Sequence, residues 1–99
     1  MSITETKGDG MIQLAVSGNV DTNTAPQLQA KILQSFQKVK SVVIDMGDCP
    51  YVSSAGLRAF LLGHKTATSK GGSLKLCNVQ QTVMDVFKTT RFDSVLTIV

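Results

Sequence analysis

A chain of 99 residues, 42% of them hydrophobic and 17% charged, has room for one domain with one core, residues 1–99, and none for a second. The formal net charge is +3 and the isoelectric point is near 9.1. Its lysines and arginines are nevertheless spread along the chain without interleaved aromatics, which argues against a nucleic-acid partner.

No apolar run reaches the ~20 residues that cross a bilayer, and no signal-peptide pattern opens the chain, so no membrane insertion is expected. Cys49 and Cys77 lack ligand spacing, and the lone histidine, His64, cannot complete a zinc site. The expectation is a cytoplasmic protein without metal or cofactor, its two thiols reduced and buried as small core hydrophobes.

In chain order, a short edge strand near residues 3–5 precedes the turn Lys7-Gly8-Asp9-Gly10. In residues 11–17, Ile12, Leu14 and Val16 alternate onto one face, which completes a β-hairpin. Asp21, Thr22 and Thr24 are possible N-caps, and Pro26 suits a first helical turn. Ala25, Leu28, Ile32 and Phe36, with Leu33 beside them, then predict an amphipathic helix over residues 24–39. Residues 41–46 are an apolar run without clean alternation, the pattern of a strand covered on both faces. A second helix follows Ser53-Ser54, with Leu57, Phe60, Leu61 and His64 at helical spacing, and stops at Gly71-Gly72. Residues 73–77 read as a strand, Val79, Val83, Val86 and Phe87 as a short third helix, and residues 94–99 as a last strand. The order β-β-α-β-α-β-α-β predicts an α/β fold, a small, mixed and mostly parallel sheet opened by an antiparallel hairpin, with about three helices.

The junction Tyr51-Val52-Ser53-Ser54-Ala55-Gly56-Leu57 is the place where chemistry could sit. Ligands and functional groups gather at the carboxyl ends of strands in such sheets. Two serines at a helix start present hydroxyls beside unpaired N–H groups and the positive end of the helix dipole, an environment that accommodates phosphate. One of them serves as the N-cap, which leaves the other spare. A hydrolase elbow needs glycine where Val52 stands. His64, three turns and about 16 Å along the helix, is out of reach of Ser54. No phosphate-cradling glycine loop and no pair of acids is present, though Asp45 and Asp48 would bind a cation if they converged. The pattern is that of a binding module, not an enzyme.

Three segments taken together resemble the STAS domain, and within it the anti-sigma factor antagonists of bacteria. Ser53-Ser54-Ala55-Gly56-Leu57 stands where that family has D-S-[ST]-G-L opening a helix. The segment from Gly18 to Ala25 is similar to G-E-[LIV]-D-x-x-[ST]-A, and Gly71-Gly72-Ser73-Leu74-Lys75-Leu76 to a glycine pair leading into a strand. The resemblance implies the STAS fold and partner switching. The unmodified antagonist binds an anti-sigma factor that is also a serine kinase of the histidine-kinase-like ATPase fold, and phosphorylation of one serine ends the binding. A PP2C-type phosphatase restores it.

Aligned on Gly56, the acceptor is Ser54, with Ser53 as the neighbouring alternative. Partner contact is expected from Ser53, Ser54, Gly56, Leu57 and Arg58, with Asp21 and Thr22 from the adjoining loop. Asp21 serves equally well as an N-cap. The family's aspartate is replaced by Ser53 and its glutamate by Asn19. The alternative reading is an unphosphorylated STAS scaffold that binds an ATPase, for example as a subunit of an ABC lipid transporter.

Overall fold

Period-two spacing in residues 11–17 does what it requires: Ile12, Leu14 and Val16 are buried while their alternate neighbours are half-exposed. A computed structural model describes all residues from Met1 to Val99. Strand β1 (Ser2–Gly8) and strand β2 (Met11–Ser17) form the antiparallel hairpin. Helix α1 (Ala25–Lys38), strand β3 (Ser41–Asp48), helix α2 (Ser54–Ser69), strand β4 (Ser73–Cys77) and helix α3 (Gln81–Thr89) follow. A 3-10 turn at Phe92–Ser94 leads to strand β5 (Thr97–Ile98). The five strands form one sheet in the order β1-β2-β3-β4-β5, parallel from β2 onward.

That order fixes the layering. Each crossover steps to the next strand in the same direction, and right-handed crossovers that all step one way place their helices on one face. Phe60 of α2 accordingly meets Phe87 of α3 edge to face, with ring centroids 6.2 Å apart, and one cluster of 22 buried apolar residues lies between helices and sheet. The other face carries Thr4, Thr6, Gln13, Ala15, Val43, Asp45 and Lys75 and is left uncovered.

This corrects the expectation for β3. Val42, Ile44 and Met46 are buried, whereas Val43 and Asp45 are half-exposed on the open face. The thiols divide in the same way: Cys49 lies in the core, but Cys77, paired with Asp45 across the strands, is only half-buried.

The helices hold smaller corrections. In α1 the expected stripe of Ala25, Leu28, Ile32 and Phe36 is buried. In α2 Leu57 and Phe60 of the expected stripe are buried, and His64 stands half-exposed at the boundary. The correction is that Leu61 is half-exposed, while Gly56, Ala59, Gly63 and Ala67 complete the buried face. Small residues let α1 approach closely, since a Cβ on Gly63 would come within 3.0 Å of Ile32 Cγ2 and 2.9 Å of Leu74 Cδ2.

At the hairpin the edge strand spans Ser2–Gly8, longer than expected, because Ile3 and Glu5 pair in register with Val16 and Leu14. Helix α3 starts at Gln81, after Val79. The last strand shrinks to Thr97–Ile98, because Arg91 adopts a left-handed conformation (φ 63°) and the chain winds through the 3-10 turn before pairing.

Candidate functional site

Residues 17–21 run beside residues 48–53, stitched by backbone hydrogen bonds. Gly18 N–H donates to the Asp48 carbonyl (2.9 Å), Val20 N–H to that of Tyr51 (3.0 Å), and Ser53 N–H to that of Val20 (2.8 Å). Val20 and Val52 form a parallel bridge and are both buried. This seam carries the start of α1 and the start of α2 to one corner of the molecule, at the carboxyl ends of β2 and β3.

At that corner the two serines divide their tasks. Ser53 has extended backbone, and its Oγ accepts from Gly56 N–H (3.4 Å), so Ser53 is the N-cap. The intrahelical ladder begins with Leu57 N–H donating to the Ser53 carbonyl (2.9 Å), so Ser54 and Ala55 present N–H groups with no helical acceptor. Ser54 is the first residue of α2, and its side chain is exposed. No acidic residue occupies the first turn, so the positive helix end is not neutralised from within.

Gly56 and Leu57 lie beneath this surface. Gly56 is buried, and a Cβ there would sit 2.8 Å from Val20 Cγ1 and Val52 Cγ1 and 2.9 Å from the Val20 carbonyl oxygen. Only glycine lets α2 start this close to the seam. Leu57 is 6% exposed and belongs to the core. Arg58 and Thr22 are exposed beside the serines. Tyr51, which opens the junction but is not among the expected contact residues, is 51% exposed immediately before the seam closes. The signal available for it was a single tyrosine next to the serine pair. Helix α3 braces the same loop, with Gln80 Nε2 donating to the Gly47 carbonyl (2.7 Å) and Thr82 Oγ1 to that of Pro50 (3.1 Å).

Asp21 organises the other half of the corner. Its Oδ1 accepts from the N–H groups of Asn23 (2.9 Å) and Thr24 (3.1 Å). In return Thr24 Oγ1 accepts from Asp21 N–H (2.9 Å) and donates to the Asn19 carbonyl (2.8 Å). This reciprocal pairing caps α1, where Thr24 itself makes no side-chain cap bond. The hydrogen bond from Thr24 N–H is the main reason the Asp21 carboxyl lies below its ordinary value of 3.8, with the Thr24 hydroxyl and Asn23 N–H adding to it against partial desolvation.

A carboxyl lowered in the folded state stabilises fully above its unfolded value and loses that contribution as pH falls through the folded one. The Asp21 share therefore disappears below pH 3.8. Asp21→Asn is expected to flatten the acid limb of urea midpoints measured between about pH 6 and pH 2. A limb of unchanged steepness would show that the cap contributes nothing. Glu5, lowered chiefly by its hydrogen bond with Lys31, supplies a second part of that limb and is removed separately by Glu5→Gln.

Asp45 Oδ1 accepts from Gly47 N–H (2.9 Å) and Asn78 Nδ2 (3.1 Å) and closes the loop after β3. No group of three or more His, Cys, Asp or Glu side chains able to hold a metal ion forms in the molecule. Cys49 Sγ donates to the Tyr51 carbonyl (3.4 Å), and burial pushes its thiol up, away from the reactive thiolate. The corner thus offers one free hydroxyl at a helix N-terminus, ringed by exposed polar side chains and one tyrosine.

The model of the STAS domain matches residues 2–99. The chain belongs to the STAS domain family. A candidate anti-sigma factor antagonist of Bordetella bronchiseptica, BtrV, is 38% identical to this STAS domain over 96 residues, 96% of the chain and 83% of that protein. The anti-sigma-B factor antagonist of Bacillus subtilis is 30% identical over 87 residues, 88% of the chain and 80% of the relative. Among solved structures, the Bacillus cell fate determinant SpoIIAA in its phosphorylated form superposes with a TM-score of 0.76 at 16% identity, covering 99% of this chain and 91% of its own. That likeness establishes the same five-stranded mixed sheet with its opening hairpin. No helix of this STAS domain is long and apolar enough to cross a membrane.

Proposed function

We propose that this STAS domain is an anti-sigma factor antagonist, bound to its partner when Ser54 is free and released when Ser54 is phosphorylated. The observation that carries the reading is the division between the serines. Ser53 is committed to the cap, and Ser54 stands exposed at the helix start. The relatives named as anti-sigma factor antagonists support the class of partner.

The partner in this reading is an anti-sigma factor with serine-kinase activity. It transfers the γ-phosphoryl of ATP to Ser54 Oγ, leaving ADP and a proton, and a PP2C-type phosphatase hydrolyses the ester to reset the switch. Contact comes from Ser54, Thr22 and Arg58 at the surface, with Tyr51 beside them. Ser53, Asp21, Gly56 and Leu57 hold that surface in shape.

The added phosphate carries about −1.5 to −2 charges. The unpaired N–H groups and dipole of α2 accommodate it locally. The partner surface, packed against a neutral hydroxyl, does not. Release therefore needs no refolding of the STAS domain.

The test is to load the unmodified protein with the kinase captured on it, add Mg-ATP, and map the modified residue by mass spectrometry. Phosphate on Ser54 together with release is expected. Ser54→Ala should hold the kinase after ATP, and Ser54→Asp should bind it at least about tenfold more weakly. Phosphate on Ser53 would move the acceptor. Stable capture of an ATPase with neither serine modified would favour the scaffold reading, which the serine in place of the family's aspartate also permits.

A further inference from the structure

At the end of the molecule away from Ser54, a cleft of about 570 Å³ opens between the carboxyl end of α1 and the turn that follows α2. Gly10, Phe36, Val39 and three lysines, Lys38, Lys40 and Lys70, line it, and no carboxylate does. The three ammonium groups come from three places: the last turn of α1, the link into β3, and the C-cap of α2.

Their convergence is built by the backbone. Gly71 is left-handed (φ 68°). Gly72 N–H donates to the Ala67 carbonyl (2.8 Å) and Gly71 N–H to that of Thr68 (3.2 Å), which is a Schellman ending for α2. Ser73 N–H then donates to the Lys40 carbonyl (2.8 Å). A Cβ on Gly72 would lie 2.0 Å from the Lys40 oxygen, so the two turns are pressed flush against each other. Lys70 is thereby delivered across to α1, where its Nζ donates to the Phe36 carbonyl (2.8 Å).

One lysine is enough to offset the roughly −0.5 charge at the end of α1. Lys70 does that and keeps two N–H donors for another acceptor. Lys38 and Lys40 are surplus to capping, both are exposed, and neither is ion-paired. Glu5 is already engaged by Lys31 (3.1 Å) and Lys7 (3.8 Å), and Asp9, which precedes Gly10 in the chain, forms no ion pair with any of the three lysines. Three lysines from three separate segments, lining one cleft that holds no carboxylate, are matched by a compact ligand of three or more negative charges.

We propose that this cleft binds a compact polyphosphate group, at a site separate from the Ser54 corner and independent of its phosphorylation. Lysine ammonium groups serve as point charges for phosphate oxygens without the planar pairing that a carboxylate would exploit.

The probe is tripolyphosphate, titrated into the intact protein at low salt and followed by amide NMR shifts and calorimetry. Saturable binding is expected, with the largest shifts at Gly10, residues 36–40 and Lys70, and an affinity that falls steeply as sodium chloride is raised. Lys38→Gln and Lys40→Gln should each weaken it about fivefold. Lys40→Gln removes no side-chain hydrogen bond of the fold, so a loss there cannot be ascribed to misfolding. Ser54→Asp should bind tripolyphosphate as the wild type does. Absent saturation, shifts scattered over all lysines, unchanged affinity in Lys40→Gln, or equal affinity for hexaglutamate would each overturn the assignment.

Discussion

Phe60→Ala is expected to lower stability by about 3–5 kcal/mol. Phe60 is fully buried in α2, and its ring meets Phe87 at 89°. Removing it leaves a cavity and also deletes an edge-to-face contact worth about 1 kcal/mol beyond its area. The damage spreads, because α3 is anchored by only two fully buried residues, Val83 and Phe87, with Met84 and Val86 packed at the core's edge. With that anchor loosened, Gln80 and Thr82 no longer brace the loop before the serine corner. Domains of this size have about 5–15 kcal/mol in hand, so the variant sits near its unfolding threshold at ordinary temperature. A urea titration reads the effect as a drop in midpoint at constant slope. A loss below about 1 kcal/mol would mean that the site collapses around the gap.

Gly72→Ala is the second large effect, with an expected cost of about 2–3 kcal/mol. Its backbone is not left-handed, so the cost is steric: the new methyl meets the Lys40 carbonyl at 2.0 Å, and a backbone oxygen cannot swing aside as a side chain can. Relief requires the α2–β4 turn to lift from the α1–β3 turn, which breaks the bond from Ser73 N–H to Lys40 and disturbs the first pair of β3 and β4, Ser41 with Ser73. Gly71→Ala separates the two kinds of cost. A Cβ there meets nothing within 4 Å, and only its left-handed backbone (φ 68°) is penalised, by about 1 kcal/mol. Thermal melts of the pair should therefore rank Gly72→Ala clearly lower, and the reverse order would refute the steric account.

The hairpin and α1 were legible because period two and period 3.6 stand undisguised in residues 11–17 and 25–36. The face of β3 was not, since Val42-Val43-Ile44 is apolar on both sides of the pleat. What exposes Val43 is the direction of every crossover, a property of strand order and not of local pattern. The buried face of α2 was only partly legible, for a related reason. Leucines at 57 and 61 suggested a broad apolar face, but the glycine and alanine positions are where neighbours come closest.

At the serine corner, the pair and its setting could be read directly. Which serine caps could not, because it depends on Ser53, not Ser54, being held extended on the seam by its N–H bond to the Val20 carbonyl. The lysine cleft was invisible for the plainest reason. Lys38 and Lys70 are 32 positions apart in the sequence, and only the glycine turn joins them.

Strand order that repeats chain order also bears on how the molecule assembles. Each strand after the first pairs with the one made immediately before it, so no segment must wait for a distant partner to close a long loop. Loop closure is the main entropic barrier to parallel sheets, and it rises with the length of chain enclosed. Here every enclosed loop is a single crossover helix with its turns. The sheet can grow edgewise from the β1–β2 hairpin as chain emerges from the ribosome, adding one strand and one helix at a time. Phe87 docking on Phe60 then closes the last unit against structure already in place.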